Sequence, residues 1–281
     1  MLSEAGVPDA DFDAQEMLAR VLGEDRLNMR IDSGRELDDS DVSHYEALIA
    51  RRAAREPMQY ILGDTCFMGL DLHVAPGVLI PRHDTEILCE EAIRRLGITG
   101  RRVLDIGTGS GALAIAIALF AVRAQVTAVD VSDDALSIAA QNARRLGAMV
   151  RFVKSDCFAQ LPGEQYDMIV SNPPYISGEE MKTLMPEVQR EPELALYGGE
   201  DGLDFYRHIT REAPAHLAPG GYLLFEIGWQ QKEAVEALLR EHIGEPFALR
   251  DYGGNWRVVG AMMGKYRQGS CISAKRRRVK G

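Results

Sequence analysis

Asn172-Pro173-Pro174-Tyr175 is the segment whose residue types speak most directly of chemistry. Two prolines fix the main chain at small entropic cost, so the Asn172 amide, the Pro173 carbonyl and the Tyr175 ring are held in one rigid arrangement. That arrangement suits a planar NH2 group. Its two hydrogens need two acceptors, which the Asn172 side-chain oxygen and the Pro173 carbonyl supply, while an aromatic face packs on the conjugated plane. When the tetrapeptide stands alone, a Pro-Pro turn without chemistry is the rival explanation.

It does not stand alone. In Asp105-Ile106-Gly107-Thr108-Gly109-Ser110-Gly111-Ala112, three glycines follow an apolar run and precede a helical one. Glycine lets a ligand approach the main chain, and a helix start offers unpaired N–H groups. Gly107, Gly109 and Ala112 satisfy G-x-G-x-x-G/A, and Asp130 stands about 20 residues on, where its carboxylate can accept from ribose hydroxyls. The pattern supports an adenosine ligand and leaves a dinucleotide open. Gly111 shortens the loop and Asp105 adds a carboxylate at the strand end, which suits a cofactor with a positive amino-acid end better than a pyrophosphate. Asp156, in Ser155-Asp156-Cys157, can accept from an exocyclic adenine amine; a helix cap or turn carboxylate is the alternative.

Strands must present these groups at one edge. Residues 103–106 read as a buried strand, 112–120 as the helix after the turn, 125–129 as a second strand, 133–146 as a helix, 150–153 as a third strand and 168–170 as a fourth. Helices at 203–217 and 232–239 flank a strand at 222–227, and 257–262 reads as a last strand. Strands alternating with helices imply α/β architecture with a doubly wound, mostly parallel sheet and a ligand beyond the strand C-termini. Upstream, residues 9–56 carry helical stripes: Ala14, Leu18, Val21, Leu22, then Val42, Tyr45, Ile49, Ala53. From Thr65 the period changes to two around Met68-Gly69, which predicts a small hairpin. The boundaries expected are 1–64 for a helical domain, 65–82 for a hairpin connector, 83–268 for the α/β domain and 269–281 for a disordered basic tail.

Composition excludes several classes. The 281 residues are 46% hydrophobic and 26% charged, the balance of a globular protein. The longest apolar run, residues 112–122, is too short for a membrane span. The first basic side chain is Arg20, after five acidic ones, so a cytoplasmic protein is expected. Cys66, Cys89, Cys157 and Cys271 lie far apart with no histidine at ligand spacing, so free thiols and no metal site are expected. The net charge of −10 disfavours direct nucleic-acid binding. Residues 1–50 hold 13 Asp and Glu against 4 Arg, whereas Lys275, Arg276, Arg277, Arg278 and Lys280 crowd the end.

The chain resembles the HemK/PrmC family, S-adenosylmethionine-dependent methyltransferases that modify the glutamine of the Gly-Gly-Gln motif in class 1 peptide-chain release factors. The likeness runs to about Gly264. It includes Arg55-Glu56-Pro57, Tyr60-Ile61-Leu62-Gly63, Leu79-Ile80-Pro81-Arg82 with Thr85-Glu86, the glycine turn, Val129-Asp130, Ser171 to Tyr175, Glu191-Pro192 with Ala195-Leu196, and Glu226-Ile227-Gly228. The resemblance implies a Rossmann-like class I methyltransferase fold behind an N-terminal helical domain. Because none of the chemistry motifs lies in residues 1 to about 65, these helices are expected to recognise the release factor, with mere covering of apolar surface as the alternative. The resemblance places Gly107, Thr108, Gly109, Ser110, Gly111, Asp130, Cys157 and Asn172 at the cofactor, where Asp105 and Asp156 are expected from the reading above, and Asn172, Pro173, Pro174 and Tyr175 at the glutamine. The chain departs from the family at His83-Asp84, where Pro-Glu is usual, and in the tail after Gly269. The alternative is an amine methylase acting on adenine in DNA or RNA, which shares the tetrapeptide.

Overall fold

The computed structural model describes residues 1–31, 34, 36–97 and 101–264; the basic tail and Cys271 lie outside the described residues. Four helices come first: α1 (Ala10–Leu22), α2 (Arg26–Ile31), α3 (Asp39–Ala53) and α4 (Met58–Leu62). The hairpin strands β1 (Asp64–Phe67) and β2 (Leu70–His73) pair antiparallel around Met68-Gly69. Then come α5 (Asp84–Leu96), β3 (Arg102–Ile106), α6 (Ala112–Phe120), β4 (Gln125–Asp130), α7 (Asp133–Leu146), β5 (Val150–Lys154), β6 (Tyr166–Ser171), α8 (Gly178–Met181), α9 (Asp204–His216), β7 (Leu217–Glu226), α10 (Lys232–His242), β8 (Pro246–Arg250) and β9 (Trp256–Met262).

Sheet order is β5-β4-β3-β6-β7-β9-β8, parallel from β5 to β7 and closed by the antiparallel pairs β7–β9 and β9–β8. The chain winds outward from β3 to β5 and returns to β6 on β3's other side. This reversal opens a crevice at the strand C-termini. Both faces are covered, so the strands are apolar on both sides. Val103, Met168, Val170 and Leu224 point into the core under α5 and α6, while Leu104, Ile106, Ile169 and Phe225 point into the core under α9 and α10. Helix α7 has both of its ends specified. Ser132 accepts from the Ala135 N–H at 3.2 Å, Asp133 and Asp134 sit in the first turn, and Arg144 and Arg145 in the last, matching the helix dipole.

The structure departs from the sequence reading in local detail. Helix α5 carries a regular stripe of Leu88, Cys89, Ala92 and Leu96 that the reading leaves unassigned. Strand β8 carries no such signal in the sequence. It is an edge strand whose side chains are nearly all half-buried, so no alternation marks it, and its leading Pro246 is tolerated only at such an edge. In the helical unit, Met17 is fully buried rather than Leu18, and Val42 is exposed because it lies in the first turn of α3, away from the apolar contact with α1.

Two arginines join the helical unit to the α/β body. Arg52, 6% exposed, donates from Nε to Asp13 at 2.7 Å and from Nη1 to Glu187 at 2.8 Å. Arg55 holds both Glu187 oxygens at 2.7 Å. Burial pushes the Glu187 carboxyl up, but hydrogen bonds from Arg55 and Arg52 outweigh it and hold it at about 2. Its contribution to stability is therefore present above the ordinary carboxylate range and is lost as pH falls towards about 2. Arg52→Ala leaves Asp13 without this guanidinium and is expected to destabilise the chain by about 3–5 kcal/mol, read as a lowered urea midpoint at pH 7.

Candidate active site

The C-terminal ends of β3, β4, β5 and β6 converge on one cavity of about 360 Å³, ordinary for a small-ligand site. Gly107 and Gly109 line it from the turn after β3, Asp130 from the end of β4, Asp156 and Cys157 from the loop after β5, and Asn172, Pro173 and Pro174 from the loop after β6. The connector closes one side through Val78 and Leu79, and Leu194 and Phe205 contribute to the wall. Asp105, Thr108, Ser110, Gly111 and Tyr175 do not line it.

The turn after β3 hooks onto β4. The N–H groups of Gly107 and Thr108 both donate to the Val129 carbonyl, at 2.9 and 3.0 Å, and the Gly109 N–H donates to Asp130 at 2.9 Å. The other Asp130 oxygen accepts from the Ser132 N–H at 3.0 Å, so this carboxylate shapes the turn as well as lining the cavity. Asp105 is fully buried and accepts from the Thr108 hydroxyl at 2.7 Å; burial pushes its carboxyl up to about 7 against that bond. Gly111 has φ +87°, and a Cβ there would sit 2.9 Å from Ile115 Cδ1 and 3.0 Å from Ala139 Cβ, so only glycine lets α6 start against α7.

Asn142, buried in α7, ties the hairpin to this turn. Its Nδ2 donates to the carbonyls of His73 and Ser110 at 2.9 Å, and its Oδ1 accepts from the His73 N–H at 2.7 Å. Sequence reasoning missed it because a helical asparagine has no signature of its own. After β5, Cys157 takes φ +43°, and burial, with Asp156 beside it, pushes its thiol up to about 12. At neutral pH it is an uncharged wall rather than a nucleophile. Asp156, Cys157 and His208 bring possible ligand atoms within 4.8 Å, a proximity that sequence spacing does not show because His208 comes from α9.

The tetrapeptide is clamped from several directions. Ser171 Oγ donates to the Ile106 carbonyl at 2.7 Å, and Asn172 Nδ2 donates to Thr85 Oγ1 at 3.2 Å. Gln231 Nε2 donates to the carbonyls of Tyr175 and Gly202 at 2.9 and 3.1 Å, and the Ile176 N–H donates to the Leu196 carbonyl at 2.9 Å. A Cβ on Gly202 would stand 2.3 Å from the Tyr175 carbonyl oxygen, so this loop approaches the tetrapeptide more closely than any side chain permits. Tyr175 packs into the core under α9 and α10, and burial pushes its phenol up.

The segment from Leu79 to Glu86 is structural as well as diagnostic. Glu191 accepts from the Ile80 N–H at 3.0 Å and pairs with Arg82. Glu86 accepts from the Met68 N–H at 2.7 Å. At the departure from the family pattern, Asp84 pairs with Arg257 at 3.0 Å and His83 is exposed. Glu226, 1% exposed, lies beside Thr85 at the end of β7; burial pushes it up to about 7, with the Thr85 hydroxyl and Arg257 acting against that rise. Cys66, Cys89 and Cys157 carry free thiols, and no helix among the described residues is long and apolar enough to cross a membrane.

Residues 1–63 match the PrmC N-terminal domain and residues 83–191 the Methyltransferase small domain. A release factor glutamine methyltransferase of Geobacter sulfurreducens is 44% identical over 94% of this chain and 93% of its own. The chain belongs to the release factor glutamine methyltransferase family. Its Bordetella pertussis relative of the same description is 41% identical over 94% of this chain and 98% of its own. Among solved structures, a methyltransferase from Pyrococcus furiosus shares the fold with a TM-score of 0.53 at 24% identity, over 79% of this chain and 99% of that one. In this family member Gly111→Ala is expected to lower stability by about 1–3 kcal/mol through overpacking and the left-handed φ. Thermal unfolding of the ligand-free protein measures it, and an unchanged midpoint would contradict the packing described.

Proposed function

We propose that the chain transfers a methyl group from S-adenosylmethionine to the side-chain amide nitrogen of the glutamine in the Gly-Gly-Gln motif of class 1 peptide-chain release factors. The setting is the cytoplasm and the process translation termination. The observation that carries the reading is the position of Asn172 and Pro173 on the cavity wall, at the sheet's reversal, in a chain whose relatives bear that description over nearly its whole length. Residues 1–64 serve as the recognition domain, 65–82 as the connector and 83–268 as the transferase body.

The chemistry of the cavity suits the cofactor. When bound, S-adenosylmethionine supplies an electrophilic methyl group. Asp130 offers acceptors to the ribose, exposed Asp156 offers one to the adenine amine, and the neutral Cys157 thiol packs beside the base. Gly107 and Gly109 leave the main chain open to the amino-acid end. Asp105, Thr108, Ser110 and Gly111 hold that turn in shape without lining the cavity.

An amide nitrogen is a weak nucleophile because its lone pair is delocalised into the carbonyl. Asn172 Oδ1 and the Pro173 carbonyl accept its two hydrogens, which favours pyramidalisation and fixes the lone-pair direction. Pro174 and Tyr175 hold that pair of acceptors in place. Positioning of two reactants is worth on the order of 7–11 kcal/mol, so orientation supplies most of the rate. The excess proton leaves after transfer and requires no strongly perturbed base.

Incubation with labelled S-adenosylmethionine is expected to label the Gly-Gly-Gln glutamine of a release factor and neither duplex DNA nor ribosomal RNA; equal labelling of nucleic acid would support the adenine reading instead. Asn172→Ala is expected to lower turnover by roughly 10²- to 10³-fold with cofactor affinity little changed. Tyr175→Phe, which keeps the ring, loses no more than one hydrogen bond, about 0.5–1.5 kcal/mol. Turnover and cofactor affinity of both folded variants decide this, and an Asn172→Ala enzyme near the parent rate would remove Asn172 from the mechanism.

A further inference from the structure

The loop after β5 and helix α9 bring a thiol, an imidazole and a carboxylate together. Asp156, Cys157 and His208 each place a ligand atom within 4.8 Å of the others, the one such group of three among the described residues. Glu212, one turn further along α9, adds a second carboxylate, with Oε1 3.7 Å from His208 Nε2. One sulfur, one imidazole nitrogen and carboxylate oxygen are the donor types of a Zn²⁺ site, whereas Mg²⁺ and Ca²⁺ take oxygen alone. Tetrahedral zinc bonds of roughly 2.0–2.3 Å put ligand atoms about 3.3–3.8 Å apart. The exposed Asp156 and part-exposed His208 side chains have the freedom to close that gap onto the buried Cys157 sulfur.

The sulfur is held in place by its loop. Ser155 Oγ donates to the Cys157 carbonyl at 2.9 Å and accepts from the Gln160 N–H at 3.0 Å. The exposed Arg211 guanidinium, 3.3 Å from His208 Nδ1, has solvent to move into. Asp156 and Cys157 line the cavity, whereas His208 and Glu212 do not, so a cation bound among the four stands at the cavity wall. We propose that Asp156, Cys157, His208 and Glu212 form a site for Zn²⁺ whose occupation excludes S-adenosylmethionine. The thiol gives its proton to solvent as the sulfur–metal bond forms. The metal takes the Asp156 carboxylate that otherwise accepts from the adenine amine, and the Cys157 sulfur beside which the base packs. Linkage makes the effect reciprocal, so bound S-adenosylmethionine weakens the metal by the same factor. The exclusion rests on the placement of adenine given above; the metal site does not.

The test uses the full chain, stripped of metal, in a Cys66→Ser/Cys271→Ser background that removes the other thiols outside the core. Co²⁺ serves as the spectroscopic probe, Zn²⁺ affinity is read by competition with a chromophoric chelator, and S-adenosylmethionine affinity is read by calorimetry with and without Zn²⁺. Co²⁺ is expected to give a sulfur-to-metal charge-transfer band that Cys157→Ser abolishes. His208→Ala and Glu212→Gln are each expected to weaken Zn²⁺ by about tenfold or more. Saturating Zn²⁺ is expected to weaken S-adenosylmethionine by about tenfold or more in the parent and by less than about twofold in His208→Ala, whose cofactor affinity without metal stays at the parent value. The site is overturned if no charge-transfer band develops, or if the band and Zn²⁺ affinity survive His208→Ala undiminished. Unchanged Zn²⁺ affinity in Glu212→Gln removes Glu212 from it. The exclusion is overturned if bound Zn²⁺ leaves S-adenosylmethionine affinity unchanged. Should the parent protein fail to methylate the glutamine, the functional reading falls, while the binding measurements still decide the metal site.

Discussion

Two consecutive prolines cannot donate to a sheet ladder, and the site is organised around that constraint. Strand β6 has to stop at Ser171, and the four residues beyond it need partners that are not strand neighbours. Ser171 fastens to the end of β3, Asn172 to α5, the Tyr175 carbonyl to Gln231, and Ile176 to the 196–198 stretch. Gln231 also accepts from the Gly228 N–H at 3.0 Å, so one amide joins three loops. The rigidity of the tetrapeptide is thus supplied from outside it as well as by its own rings.

A second support runs through two glutamates four residues apart. Glu187 is held by Arg52 and Arg55 of the helical unit, and Glu191 by Arg82 and the Ile80 N–H of the connector. The same stretch continues into Pro192, Leu194 and Ala195, which line the cavity. The helical unit, the connector and the cavity wall consequently share one short length of chain. Their relative placement is set by charge-assisted bonds with buried carboxylates, which are sensitive to the loss of either partner.

Much of this was legible in the sequence. Strands of the parallel sheet are buried on both faces and read as apolar runs, and α6 and α7 span the residues expected of them, 112–120 and 133–146. Gly107, Gly109, Asp130, Asp156, Cys157 and the 172–174 stretch meet in one cavity because each follows a strand of that sheet. Less legible were residues whose role depends on a partner far along the chain. Asn142, Thr85, Glu187 and Gln231 are ordinary polar residues in a linear reading and become bolts only when the fold brings a carbonyl, an amide or a guanidinium to them. Edge strand β8 was hidden for the opposite reason, since half-buried side chains produce no period.

The bonds that complete the site are also long-range ones. Arg52 and Arg55 reach Glu187 across 135 and 132 residues, Ile80 and Arg82 reach Glu191 across 111 and 109, and Asn172 reaches Thr85 across 87. The pairs β3–β4 and β4–β5, by contrast, close through single crossovers. Loop-closure entropy must be met before such distant contacts reward it. During synthesis the arginines of the helical unit are made long before their carboxylate exists, and in refolding the sheet can assemble while the cavity is still open on its connector side. Competence to bind and react is therefore acquired at the end of folding, and its recovery after denaturation should lag behind the return of helical signal.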